Sequence, residues 1–222
     1  MDWLKGALAV LEKDVRLELR TRYAINTLLL FVLSALLIVA FAVRSEPLTP
    51  SLRSVLLWIV ILFSAIAGLS HAFVSEEERG TVLLLQLNAL PSSVLTGKLL
   101  FNLMLTLALN TVAAVAFWVV LGFQDVAVTT LVVVLLFGAI GLSGATTLLS
   151  AIIAKAVNRG PLFAVLSFPV LVPLLLSVIT GTRMAIEGAK LDAVASEVFT
   201  LIGYAGVLIT ASTLLFDYIW KD

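Results

Sequence analysis

The sequence predicts an all-α integral membrane protein with six transmembrane helices, and three observations carry that reading. The 222 residues are 61% hydrophobic and 13% charged, about half the charged fraction of a soluble domain, and mean hydropathy is +1.16. Apolar runs of roughly the twenty residues a helix needs to cross a bilayer recur at 24–43, 54–74, 99–121, 127–154, 161–180 and 198–216. Within them the apolar residues are continuous and do not alternate, which rejects a transmembrane β-barrel. The chain reads as one membrane domain over 1–222.

Residues 1–23 come first. Leu4, Leu8, Leu11, Val15 and Leu19 recur at helical spacing, while Lys5, Glu12, Arg16 and Arg20 gather on the other side. Such a stripe predicts an amphipathic helix lying on the membrane surface. Asp14, Glu18 and Arg22 fall at or inside the edges of the stripe, so the separation is imperfect. Ala40-Phe41-Ala42 has the form of a signal cleavage site. The apolar run before it is too long for a signal core, and Glu12, Asp14 and Glu18 precede it, so the run reads as an anchor.

The second and fourth runs carry small residues at close-packing spacing: Ser64, Gly68 and Ala72, then Gly138, Gly141, Gly144 and Ala145. Backbones in lipid approach closely only where side chains are small, so these faces are expected to meet other helices. The fifth run holds Pro169 and Pro173 on one face. Each removes a backbone donor and bends the helix, a feature of gates and of simple packing alike. Outside the bilayer, 44–53 and 122–126 read as short turns, and 181–197 as a short interfacial or re-entrant helix.

Orientation follows from the basic flanks. With the amino terminus inside, Lys5, Lys13, Arg16, Arg20, Arg22, Arg79, Lys98, Lys155, Arg159 and Lys221 lie on the cytoplasmic side, and only Arg44, Arg53, Arg183 and Lys190 lie outside. Both termini are expected in the cytoplasm.

Between the second and third runs, 75–98 holds Glu76-Glu77-Glu78-Arg79 and a Gly80-Thr81 step, followed by a short apolar stretch. Too polar to span and too apolar for a plain loop, it is expected at the membrane surface, facing a soluble partner. A solvated boundary is the plainer account of the acidic cluster alone. The Gly-Thr step and the leucines after it favour docking, with Gly80 permitting a bend and Leu83–Leu87 filling a groove.

Marks of catalysis are missing. Gly97-Lys98 is followed by Leu99, and Ser92 stands where a phosphate loop needs glycine, so the chain has no ATP-binding loop. There is no cysteine, and the single histidine, His71, cannot form a zinc site alone. No acidic residue lies inside a spanning run, which disfavours ion-coupled transport. Zero net charge disfavours nucleic acid. The reading is a non-enzymatic subunit whose energy comes from another chain.

Phe73, Glu76, Glu77, Gly80, Thr81, Leu84, Leu85, Pro91 and Lys98 resemble the segment between the second and third helices of ABC-2-type permeases. Gly141-Leu-Ser-Gly-Ala-Thr-Thr-Leu, Asn158-Arg159-Gly160, Leu166 to Pro169 and Pro173-Leu-Leu-Leu are similar to the CcmB family, the haem exporter B permease of cytochrome c maturation. The likeness covers nearly the whole chain. Val82-Leu83 departs from relatives that carry a polar or acidic residue soon after the Gly-Thr step.

The resemblance implies an ABC-2, type V exporter-like permease fold with a coupling helix docked on a cytoplasmic ATPase. The docking set would be Glu76, Glu77, Glu78, Arg79, Gly80, Thr81, Leu84 and Leu85, and Pro169 and Pro173 would be bend or gating positions. It further implies a homodimer in the bacterial inner membrane, with a CcmA-like ATPase, CcmC-like and CcmD-like membrane proteins and a CcmE-like haem chaperone. No cofactor would bind this chain directly: ATP would sit in the ATPase and haem in the partner proteins. Its role would be to couple ATP hydrolysis to haem handling and release of the loaded chaperone. An ABC-2 permease for a lipid, glycan or drug is the alternative.

Overall fold

In hydrocarbon every backbone N–H and C=O must find its partner within its own segment, so continuous apolar runs fold as helices. The computed structural model describes residues 2–42, 48–69, 72–122, 125–154, 156 and 159–221. It orders them as α1 (Asp2–Thr21), α2 (Tyr23–Ala42), α3 (Pro50–Leu69), α4 (Val74–Glu78), α5 (Val82–Asn88), α6 (Pro91–Leu121), α7 (Val128–Ile153), α8 (Arg159–Ile186), a 3-10 turn (Leu191–Val194) and α9 (Ala195–Lys221). No strand occurs among the described residues. His71, Asn158, Lys155 and parts of the two short outer turns lie outside them.

Six segments are long and apolar enough to span: α2, the run from α3 through α4, α6, α7, α8, and the run that holds α9. The helix at the centre is α7: 61% of its apolar window is buried inside the protein, against 22% for the α9 window. Its glycines explain this position. A Cβ on Gly138 would stand 2.5 Å from the Trp58 ring of α3, and one on Gly141 would stand 2.7 Å from Leu174 of α8. Gly68 of α3 likewise lies against Leu28 of α2. Trp58 Nε1–H donates to Thr182 Oγ1 at 2.8 Å, joining α3 to α8. Asn102 Nδ2–H donates to Thr147 Oγ1 at 2.9 Å, joining α6 to α7.

The outer faces are greasy and open. Ile38, Phe41, Val119, Val165 and Phe199 are all exposed, a distribution that suits lipid and not water.

Several helices run further than composition indicates, α6 and α8 among them. Pro91 takes the first position of α6, where a missing N–H costs nothing, so the helix starts there and not at 99. At its far end α8 continues to Ile186, held by Thr182 on Trp58 and by the Ala185 carbonyl accepting the Ala127 N–H at 2.9 Å. Only the 3-10 turn then stands where a short outer helix is expected. Pro169 and Pro173 lie inside α8, which stays helical through both. Tyr204 O–H donates to the Val170 carbonyl at 2.8 Å, next to the carbonyl that Pro173 leaves without a donor.

Candidate functional site

The two ends of the chain and the α4–α5 segment meet at one end of the bundle. The α1 helix does not lie apart from the bundle; it packs on the start of α6. A Cβ on Gly97 would stand 2.8 Å from the Ala7 carbonyl oxygen, and Ser93 Oγ–H donates to the Trp3 carbonyl at 3.0 Å. The face of α1 turned to α6 is Ala7, Val10, Asp14 and Glu18, while Leu4, Leu8 and Leu19 point outward. That resolves the imperfect stripe: Leu4, Leu8 and Leu19 keep an open face, Leu11 and Val15 pack half-buried against the core, and the two acidic residues near its edge are buried against protein.

Both buried acids have work to do. The Glu18 carboxylate accepts the Ile25 N–H at 2.9 Å and so caps the first turn of α2. Between the two helices Arg22 sits at φ 54, making the sharp exit from α1. Asp14 joins a second group. Lys98 Nζ, on α6, lies 3.1 Å from Asp14 Oδ2 and 2.6 Å from Glu76 Oε1 on α4. Lys13 Nζ lies 3.0 Å from Asp14 Oδ1 and also pairs with Glu76. Thr81 Oγ1–H donates to the same Glu76 carboxylate.

Two ammonium groups thus face two carboxylates, and Lys98 is 2% exposed. Charges withdrawn from water this far survive only when paired and hydrogen-bonded. Burial works against the Lys13 ammonium, but Asp14 and Glu76 outweigh it and hold its pKa above the ordinary 10.5. Lys98 also sits 5.8 Å from the centre of the Phe73 ring, within reach of its π face.

Other contacts seat α4 and α5 on the rest of the bundle. The Phe73 N–H donates to Ser150 Oγ of α7 at 3.0 Å. Phe73 packs at 5.2 Å from Phe216, which stacks 5.3 Å from Trp220. Gln86 Nε2–H donates to the Trp220 carbonyl at 2.6 Å. Contacts therefore run from this short segment to α1, α6, α7 and α9. The turn between α4 and α5 uses Gly80 at φ 66, where a side chain would be strained although nothing crowds it.

The eight residues of the expected docking set occupy this segment but do not share one face. Glu76 is turned inward and buried; Glu77, Thr81 and Leu85 are half-buried; Glu78, Arg79, Gly80 and Leu84 are exposed. Leu83 and Leu87, with Leu84, form the open side of α5. Asp14 and Lys98 do not appear as an ionic pair in the sequence, being 84 positions apart. The available signal was an acidic residue beside the apolar stripe of α1 and a lysine at the mouth of a spanning run.

The family profile described as CcmB protein matches residues 5–216. The chain belongs to the CcmB family. No curated protein matches it. Membership makes it a multi-pass membrane component of the haem-export ABC system of cytochrome c biogenesis. A CcmB chain is a permease subunit, and it associates with other components of its system, such as an ATPase. Phe73, Glu76, Gly80, Thr81 and Lys98, which carry the wider likeness to ABC-2-type permeases in sequence, come together here around one ionic cluster and one bend.

Proposed function

We propose that this CcmB chain is the driven membrane subunit of an ABC complex, in which a CcmA-like ATPase grips α4 and α5. The observation that carries the reading is the double character of that segment. Its inner side is bonded to four helices, while Leu83, Leu84 and Leu87 leave its outer side apolar and open. A push on such a segment reaches α1, α6, α7 and α9 together. In this reading α4–α5 is the coupling element of an ABC-2, type V exporter-like permease, and α1 is an interfacial helix whose leucines lie in the headgroup layer.

Family membership favours the inner membrane, and the basic flanks favour both termini, and hence α4–α5, in the cytoplasm. The stroke would serve haem handling and release of a haem-loaded CcmE-like chaperone. CcmC-like and CcmD-like proteins stand alongside, and two copies of this chain face two ATPases. Within the docking set the roles divide. Glu76 with Thr81 anchors the segment inward, Gly80 sets its bend, and Glu77, Glu78, Arg79, Leu84 and Leu85 offer polar and apolar contacts near the leucine face. Pro169 and Pro173 would act as the compliant part of α8.

The sequence holds no cysteine, so one introduced at Leu87 is unique. Cross-linking from Leu87→Cys to the co-expressed ATPase is expected, and Leu83→Asp with Leu87→Asp should release the ATPase without preventing membrane insertion. An ATPase that stays bound to that double variant with undiminished turnover would overturn the proposal.

A further inference from the structure

Beside the leucine face of α5 lies an open groove of about 660 Å³, walled on one side by α1 and on the other by α4 and α5. Its volume is roughly that of twenty water molecules, room for several side chains of a partner. Lys13, Arg16, Arg20 and Arg79 line it against Glu12 and Glu76, four positive groups to two negative. Lys13 and Glu76 are engaged in the inner cluster, and Arg16 pairs with Glu12 on the surface. Arg20 and Arg79 make no ion pair among the described residues. The floor is apolar, from Leu17, Leu84 and Leu85.

The three faces of α1 decide which side the occupant comes from. Successive residues turn about 100° around a helix. Ala7, Val10, Asp14 and Glu18 face α6, and Leu4, Leu8 and Leu19 form the open apolar row. The groove residues Lys13, Arg16 and Arg20 centre on a third face, about a third of a turn from both, with Glu12 at its edge beside the leucine row. A basic groove turned away from the leucine row opens toward water, not toward acyl chains.

We infer that this groove receives an acidic segment of the cytoplasmic ATPase, so that the partner holds α1 as well as α5. The inference rests on the docking reading above and adds to it a second surface and the charge of what fills it. Arginine suits the task, because its planar fork binds a carboxylate with two parallel hydrogen bonds. Gripping both helices would also trap the inner cluster between them, since Lys13 and Glu76 pair with each other and both line the groove.

The test is equilibrium binding of the cognate ATPase to the full-length chain in nanodiscs, between about 50 and 500 mM salt. Charged contacts at an interface govern salt dependence. Wild type should weaken steadily as salt rises. Arg16→Gln, Arg20→Gln and Arg79→Gln combined should bind about tenfold more weakly at low salt and lose most of the salt slope. All three side chains are on the surface, so the fold should survive. Leu83→Asp with Leu87→Asp, outside the groove, should weaken binding at every salt concentration.

Unaltered binding by the leucine variant would defeat the docking reading itself. A leucine effect with no arginine effect and no salt slope would defeat the groove alone. Displacement of the ATPase from wild type by phosphatidylglycerol vesicles, lost in the arginine variant, would make the groove a lipid-headgroup site and overturn the inference.

Discussion

Replacing Lys98 with methionine removes one of two cations from the buried cluster and leaves Lys13 to serve both Asp14 and Glu76. The lost partner is 2% exposed, and the two carboxylates are nearly as buried, so water does not replace it. Breaking a buried pair by deleting one member costs about 3–5 kcal/mol, because the other charge stays behind unpaired. If that cost falls on the seating of α4, its opening equilibrium shifts between roughly 10²- and 4 × 10³-fold, at a factor of ten per ~1.4 kcal/mol. Amide hydrogen exchange over residues 73–88 in detergent reads this directly, as faster exchange there with α7 unchanged. Adding Glu76→Gln to Lys98→Met restores balance, with Lys13 facing Asp14, and should recover about 1–3 kcal/mol relative to additivity. A single variant costing less than about 1 kcal/mol, or a double variant no better than the sum of its parts, would refute the account of the cluster.

Further outcomes follow from the packing. Gly97→Ala must lift α1, since the obstructing atoms are Val10 Cβ and the Ala7 carbonyl, neither of them the far end of a flexible side chain; overpacking of this kind costs about 1–3 kcal/mol, read as a lower melting temperature and faster proteolysis of α1. Gly138→Ala meets the Trp58 ring at 2.5 Å and should destabilise by a similar amount, with α1 left protected; a variant melting with wild type would contradict the close α3–α7 contact. Gly80→Ala has open space around it and suffers only from its positive φ. It should cost about 1–2 kcal/mol and show mainly as weaker ATPase co-purification, with global melting little altered. Lys13 holds its proton more tightly in the fold than in the unfolded chain. Its contribution is therefore complete below pH 10.5 and is lost as pH rises through the higher folded value. Exchange protection of α1 should fall on that alkaline limb, and Lys13→Met should remove the fall.

Most of the architecture is written in composition, because lipid leaves a long apolar run no choice but helix. The small residues of α3 and α7 also announce their contacts: Gly68 meets Leu28, and Gly138 meets Trp58. What composition misses is decided by tertiary partners. Ser93 and Lys98 look like loop polarity, yet both are buried within α6, one bonded to the Trp3 carbonyl and one to two carboxylates. The end of α8 is hidden for the same reason: Thr182 and Ala185 extend the helix through bonds to α3 and to the residue before α7. At the candidate site, the bend at Gly80 and the open leucines were legible, whereas the inward turn of Glu76 was not. An acidic triplet does not say which of its members has a lysine waiting 22 positions away.

The central claim is that force enters through α4–α5 and moves the spanning helices with it. Spin labels at Asn88→Cys, on α5, and Val119→Cys, near the far end of α6, can be placed alone in this cysteine-free chain. Measured in the reconstituted complex, the distance between them should change when the ATPase is trapped with ATP, and Lys98→Met should blunt that change. Identical distances with and without bound nucleotide, while ATP is being turned over, would contradict it.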